Sequence, residues 1–360
     1  MSEGKKYFVC GLPYQLSIKE DLLLPDQVMD EMQEADFDMI EYQIEMECLF
    51  FGESDKAYFK FEQLNRSRLI NKPCIPMTDV EYVQYKGDKR KNKFYKIKHP
   101  NEIRFLGVDI AIIGGKGNDS TVFTFIRCIP SGDHYVKSVE YIETLDGDHT
   151  SLQALRLKQV FYDLECDYCV MDTAGNGIGI YDECTKITFD TARGIEYPAW
   201  SAMNSDDMKE RAFDSNAVPL IQSIKVAGQS APYVNHEMAT YTKTQFVQKS
   251  IKLLCNEQEG KEYMIDNHGL MKMSSFDFAK ATAPYVHTTR LISEMINLEL
   301  TVRDGRIKLV EPQGHKKDRY SSLSYCLYFI KQLESEMRIK TDDRDSFDIL
   351  SNILLDFDNE

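Results

Sequence analysis

Three aspartates in this 360-residue chain sit where a carboxylate is hard to place. Asp109 interrupts the apolar run FLGVDIAII (105–113), Asp172 ends the apolar run YCVMD, and Asp318 opens the amphipathic stretch DRYSSLSYCLYFIKQL behind two lysines. An ionised carboxylate in an apolar strand is costly unless it is paired or bound to a metal. Three carboxylates on separate elements can hold two Mg²⁺ or Mn²⁺ ions about 4 Å apart, one activating water and the other stabilising a leaving oxygen in phosphodiester cleavage. Hard oxygen ligands suit Mg²⁺ or Mn²⁺ better than zinc. Each residue also has a plain structural alternative. Asp109 could close a turn, Asp172 could stabilise a bend at a strand end, and Asp318 could be a helix N-cap, the commonest task for Asp in that place.

A competing chemistry lies in the same stretch. Residues 114–119 read GGKGND, and glycines around a lysine invite comparison with a phosphate loop. That loop needs GxxxxGK[ST] between a strand and a helix, so that backbone N–H groups cradle phosphate. Here Lys116 is followed by Gly117, and the chain runs on into the β-branched TVFTFI; no GK[ST] occurs anywhere. The glycines read as the turn of a hairpin with a solvated lysine.

The elements that must position the aspartates follow from periodicity. In FLGVDIAII, Leu106, Val108 and Ile110 alternate with Gly107, Asp109 and Ala111, a period-two strand with Asp109 on the less bulky face. The segments STVFTFIRCI and HYVKSVEYIE, joined by short turns, complete an antiparallel meander. SLQALRLKQVFYDL (151–164) has helical spacing, and DYCVMD is a further buried strand. The resulting β-β-β-α-β order allows a right-handed crossover into a parallel strand. If that strand pairs with the first, Asp109 and Asp172 lie side by side. Further helices are expected at KTQFVQKSIKLLCNEQ (243–258), around HTTRLISEMINLEL (287–300) and from Asp318, with a short strand at RIKLVEP.

Composition bounds the class. Hydrophobic residues make up 42% and aromatics 11%, as in a globular protein with a substantial core. No apolar run approaches the roughly 20 residues of a membrane span, and the first residues lack a signal-peptide core, so a cytoplasmic protein is expected. The nine cysteines are scattered, and Cys166-x-x-Cys169 has no partner pair at zinc spacing, so buried thiols are expected. The net charge of −15 argues against a surface coated with nucleic-acid affinity but leaves room for a local basic groove. Acid is concentrated in residues 26–62 and in an acidic tail, 336–360, whereas YKGDKRKNKFYKIKH (85–99) is basic with interleaved aromatics. That basic stretch, with Lys89, Arg90 and Lys91 at its centre, reads as a linker or exposed ribbon and as a candidate DNA contact. A boundary near residue 100 separates an acidic, mostly helical segment from the strand-rich region.

Taken in order, GVDIAIIGGKGNDSTVFTFI, YCVMDTAGNGIGIYDEC and GRIKLVEPQGHKKDRYSSLSYCLYF resemble the three motifs of the nuclease domain of tailed-phage terminase large subunits. The resemblance covers about residues 101–335 and implies an α/β, RNase H-like (integrase-type) mixed sheet flanked by helices. It implies that Asp109, Asp172 and Asp318 carry two Mg²⁺ or Mn²⁺ ions, with Asp119 and His315 as secondary ligands or water-positioning groups. Lys316, Lys317 and Arg319 would then hold the backbone of double-stranded DNA without reading bases. The implied activity is endonucleolytic cutting of concatemeric viral DNA during packaging in the host cytoplasm. Its implied partners are a small terminase subunit and the portal protein. Residues 1–100 resemble the end of the family's motor region, yet no Walker motif is present, so the ATPase is expected in a missing N-terminal region or a separate chain. The interval from Asp172 to Asp318 suggests an insertion within about 200–290. Two rival readings stand beside this one. The first is another RNase H-like nuclease, such as a Holliday-junction resolvase or transposase; the second is a noncatalytic docking module for packaging or assembly.

Overall fold

The structure, a computed structural model, describes residues 57–111, 120–145, 149–175, 177–226, 228, 230–269, 273–312 and 315–357, together with 17, 18, 20, 22 and 24; side chains are described up to residue 338. The chain divides into two units, 1–53 and 54–360, and the sheet and its helices belong to the second. The helices expected within 25–56 and the hairpin turn 112–119, with Lys116 and Asp119, lie outside the described residues.

The strands of the main sheet are β1 (Arg68–Ile70), β2 (Ile103–Asp109), β3 (Thr121–Ser131), β4 (His134–Leu145) and β5 (Tyr168–Asp172). Two short strands, β6 (Thr188–Asp190) and β7 (Ile195–Tyr197), form a hairpin of their own, after which β8 (Trp200–Ala202), β9 (Val218–Ile224) and β10 (Ile251–Leu254) rejoin the sheet. A last hairpin consists of β11 (Glu299–Arg303) and β12 (Arg306–Val310). The helices are α1 (Phe61–Asn65), α2 (Asp79–Tyr85), α3 (Thr150–Asp163), α4 (Gly177–Cys184), α5 (Asp206–Glu210), α6 (Ala231–Val247), α7 (Glu257–His268), α8 (Ser275–Ile296) and α9 (Asp318–Phe357).

The eight-stranded sheet has the order β1-β10-β4-β3-β2-β5-β9-β8. The meander β2-β3-β4 is antiparallel, α3 is the crossover, and β5 lies parallel to β2. This is the mixed, helix-flanked, RNase H-like arrangement expected from the motif order. Its faces follow from the alternation of side chains along each strand. Leu106, Val108, Phe123, Phe125, Cys169 and Met171 join the core beneath α3 and α4, with Leu157, Phe161, Ile180 and Trp200. The opposite parity, Phe105 and Tyr168, packs against Phe329 of α9. Asp109 and Asp172 share that parity, so both project on the α9 face.

Gly107 is what lets α9 lie so close. A Cβ there would stand 2.2 Å from the Ser322 carbonyl oxygen, and the hydroxyls of Thr124 and Ser322 meet across the same contact at 2.6 Å. Gly177 has the parallel role after Asp172, since its Cβ would fall 1.7 Å from the Asp172 carbonyl oxygen. The glycines of TAGNGIG therefore let α4 start directly over the strand end.

Three expectations are corrected. The single helix read across 243–258 is α6, then strand β10, then α7; Lys249 adopts a left-handed φ of 58° that ends the helical path, and Ile251–Leu254 pairs with β1 and β4. Residues 85–99 are not a linker or exposed ribbon. Lys96 pairs with Glu140 at 2.8 Å, Lys98 with Asp167 at 2.5 Å, and Arg104 donates to the Lys96 carbonyl at 2.8 Å, which fastens the segment to the sheet. The larger unit begins at Ser54 and includes β1, so the contacts do not divide near residue 100. The helix α9 continues through residue 357, across most of the acidic tail. Among the described residues all cysteines are free; Cys169 is buried in β5 and Cys166 lies just before it, as the buried-thiol reading expects. No helix of the described residues is long and apolar enough to cross a membrane.

Candidate metal centre

The site begins with strand register. Phe105 to Val108 of β2 lie opposite Tyr168 to Met171 of β5, which leaves Asp109 and Asp172 as the next residues of two neighbouring parallel strands. On its other side β5 pairs with β9, Asp172 facing Ile224. Over these strand ends comes the start of α9. Positions 318, 321, 322, 325 and 329 recur at helical spacing and turn one face toward the sheet. Asp318 is 5% exposed and accepts from the Ser120 backbone N–H at 2.9 Å. The Tyr325 hydroxyl donates to Asp109 Oδ1 at 3.4 Å.

The charges of the carboxylates act on one another. Burial, and then the charge of Asp318, push Asp109 up to about 8; Ser321 hydrogen bonding opposes the rise, and Asp172 adds to it. Asp109 keeps a partly exposed edge at the strand end, which leaves a way in for a cation. Asp172 is raised by burial, offset by the backbone N–H groups of Ala174, at 2.9 Å, and Val226. Burial and the charges of Asp109 and Asp172 drive the Tyr325 phenol well above its ordinary range.

The donor set is made of carboxylate and hydroxyl oxygens, which fits Mg²⁺ or Mn²⁺. A divalent cation would offset the burial and mutual repulsion that hold Asp109 protonated. Among the described residues no three His, Cys, Asp or Glu are gathered tightly enough to hold one ion as they stand. The fit is one of chemistry and direction, not of finished coordination.

The other expected site residues divide. Asp119 lies outside the described residues. His315 is exposed three residues before α9. Lys316 is partly buried, and Lys317 pairs with Glu311 at 2.7 Å. Lys317 also lines a cavity of about 170 Å³ with Lys308, Tyr320, Ser321 and Tyr325. Arg319 turns inward, 8% exposed, and its guanidinium pairs with Glu294 at 2.5 Å, so it does not face a DNA backbone. Arg90 and Lys91 are exposed, and Lys89 lies 3.7 Å from Glu165. The segment after them is tied to Arg104 and Asp167, at the beginnings of β2 and β5. This is the opposite end of the strands from Asp109 and Asp172. A cavity of about 950 Å³ also lies apart, between α2, α8 and β4; in it Arg156 pairs with Glu143 and Lys280 with Glu81.

Ser321, Tyr325 and Lys308 were not singled out from sequence. The first two were within reach, being hydroxyl-bearing positions three and seven residues after Asp318, on the same side of the helix as that carboxylate. Lys308 emerges only from how the β11–β12 hairpin packs.

Together these features define an RNase H-like α/β domain with convergent carboxylates. No family model matches the sequence, and no curated protein matches it. Among solved structures, the large terminase nuclease from thermophilic phage G20c with bound magnesium is 13% identical and has a TM-score of 0.41, over 76% of this chain and 97% of that one. The nuclease domain of the large terminase subunit gp2 of bacterial virus Sf6 is 12% identical, with a TM-score of 0.38 over 75% and 98%. The Thermus phage P74-26 large terminase nuclease domain is 13% identical, with a TM-score of 0.34 over 74% and 92%. These are distant likenesses, and they assign no residue role to this chain.

Proposed function

We propose that this chain is a divalent-metal-dependent endonuclease that cuts concatemeric double-stranded viral DNA during genome packaging. The observation that carries the reading is the convergence of Asp109, Asp172 and Asp318, from two parallel strand ends and a helix start, with Asp109 driven up to about 8 by burial and by the other two. Asp109, Asp172 and Asp318 would hold two Mg²⁺ or Mn²⁺ ions, drawn together from their present spacing. When bound, such ions lower the pKa of an attacking water and offset charge on the departing 3′ oxygen. Asp109 gives up its proton as the site fills, while the hydroxyls of Ser321 and Tyr325 fix the direction of its carboxylate. Asp172 is held by the backbone at Ala174 and Val226, and Asp318 by the backbone at Ser120. Lys308 and Lys317, which line one cavity with Tyr325, would meet backbone phosphate, Lys317 on release from Glu311, with Lys316 beside Lys317 in the chain; such contacts position without reading bases. Asp119 and His315 remain candidates for secondary ligation through the motif resemblance. By the same resemblance the motor ATPase, a small terminase subunit and a portal protein are the expected partners.

The test is cleavage of plasmid and linear duplex by the purified chain with Mn²⁺ or Mg²⁺, with and without EDTA, beside Asp109→Ala and Asp172→Ala. Ion-dependent cutting should fall by more than about 100-fold in both variants, beyond the loss typical of residues that only support ligands. Undiminished cutting by both would sink the site. Preference for branched over linear duplex would favour a resolvase or transposase. No cutting by any version would favour the docking module, the reading to which the net charge of −15 lends weight.

A further inference from the structure

The start of α9 is capped in an unusual way. Its first intrahelical bond runs from the Ser321 N–H to the Lys317 carbonyl at 2.8 Å, which makes Lys317 the cap residue and Asp318 the first residue inside. A lysine has no acceptor with which to satisfy the helix's first N–H groups, and its Nζ is engaged with Glu311. The Asp318 carboxylate accepts from Ser120, outside the helix. The vacant capping role falls to Glu294 of α8. One of its oxygens accepts the backbone N–H groups of Arg319 at 2.8 Å and Tyr320 at 3.2 Å, the second and third helical positions, which an N-cap aspartate or serine would ordinarily serve. Its other oxygen takes the Arg319 guanidinium at 2.5 Å.

Glu294 is 8% exposed and sits in the last turn of α8, where a negative charge opposes its own helix dipole. At the N-terminus of α9 the same charge is favourable. Its placement serves the neighbouring helix at the expense of its own.

We propose that Glu294 is a positioning residue for the metal centre. By capping α9 where Lys317 offers no acceptor, it locks the turn from which the Asp318 carboxylate projects toward Ser120. Arg319 completes the clamp through its guanidinium and serves this, not DNA. The inference rests on the nuclease reading above, because it gives the clamp a purpose beyond helix stability.

The test uses Glu294→Ala and Glu294→Gln in the full chain. Mn²⁺ affinity is read by electron paramagnetic resonance, and amide hydrogen exchange at Arg319 and Tyr320 is read without metal. Glu294→Ala should bind Mn²⁺ about 10- to 100-fold more weakly, the range for outer residues that orient ligands. Glu294→Gln should fall between, because its amide oxygen still accepts N–H while the charge is gone. Exchange at both amides should quicken in the same order. The rate of DNA cutting should return close to wild type at saturating Mn²⁺, which separates a lost position from a lost reaction. If Glu294→Ala does not fold, Glu294→Gln carries the test. Unchanged Mn²⁺ affinity and exchange in Glu294→Gln, while Asp109→Ala loses Mn²⁺, would overturn this inference alone. Equal Mn²⁺ affinity in wild type and Asp109→Ala would overturn it together with the nuclease reading.

Discussion

Asp109 carries its proton at neutral pH in the metal-free protein, because burial, followed by Asp318 and Asp172, pushes its carboxyl up to about 8. In the unfolded chain the same group titrates near about 3.9. Between those values the native state holds a proton that the unfolded state has lost, so the contribution to stability is complete below about pH 4 and is lost as pH rises through about 8. In EDTA at pH 8, Asp109→Asn should therefore melt a few degrees higher than wild type, with the gap closing toward pH 5, by scanning calorimetry. A variant that melts lower at pH 8 would show that the carboxylate is not strained. The same proton must leave when a cation enters, so Mn²⁺ binding at pH 7 should release close to one proton, read from binding enthalpies in buffers of different ionisation heat. At this scale the sequence was informative wherever burial made a charge conspicuous, as at Asp109 and Asp172. It was silent on Glu294, since an acid near a helix end looks solvated until its neighbour is known.

At the scale of elements, β2, β5 and α9 place the three carboxylates, and glycines set their spacing. The Gly107 Cβ site lies 2.2 Å from a carbonyl oxygen of α9, and backbone cannot rotate away as a side chain can. Gly107→Ala should cost roughly 1–3 kcal/mol in urea unfolding, the range for overpacking, and weaken Mn²⁺ binding as Asp318 is lifted from Asp109. A stable Gly107→Ala with wild-type metal affinity would mean that α9 tolerates displacement. The meander, the crossover helix and the parallel strand β5 were legible because strict alternation and short turns leave few other pairings. β10 was not: IKLL follows a true helix and precedes another, and the break is made by Lys249 in a left-handed conformation that composition does not announce.

Over the whole molecule, a net charge of −15 must coexist with a polyanionic substrate. Lys308 and Lys317 lie beside the carboxylates, whereas Lys89, Arg90 and Lys91 precede the segment tied to the far ends of β2 and β5, about 20 Å away along a seven-residue strand. The Lys308→Ala, Lys317→Ala double variant should weaken binding of a short duplex and lower its salt dependence by about two units of slope. Replacing Lys89, Arg90 and Lys91 together by alanine should leave cleavage of that duplex unchanged. The reverse pattern would place the DNA on the other end of the sheet. From sequence the basic run stood as a second candidate DNA contact beside Lys316, Lys317 and Arg319; its pairing with Glu140 and Asp167 is a property of the fold that sequence does not show. The most direct measurement is a crystal structure with Mn²⁺ soaked in, located by its anomalous signal. Two ions among Asp109, Asp172 and Asp318 are expected; Mn²⁺ bound elsewhere, with these three carboxylates left unligated, would contradict the metal centre.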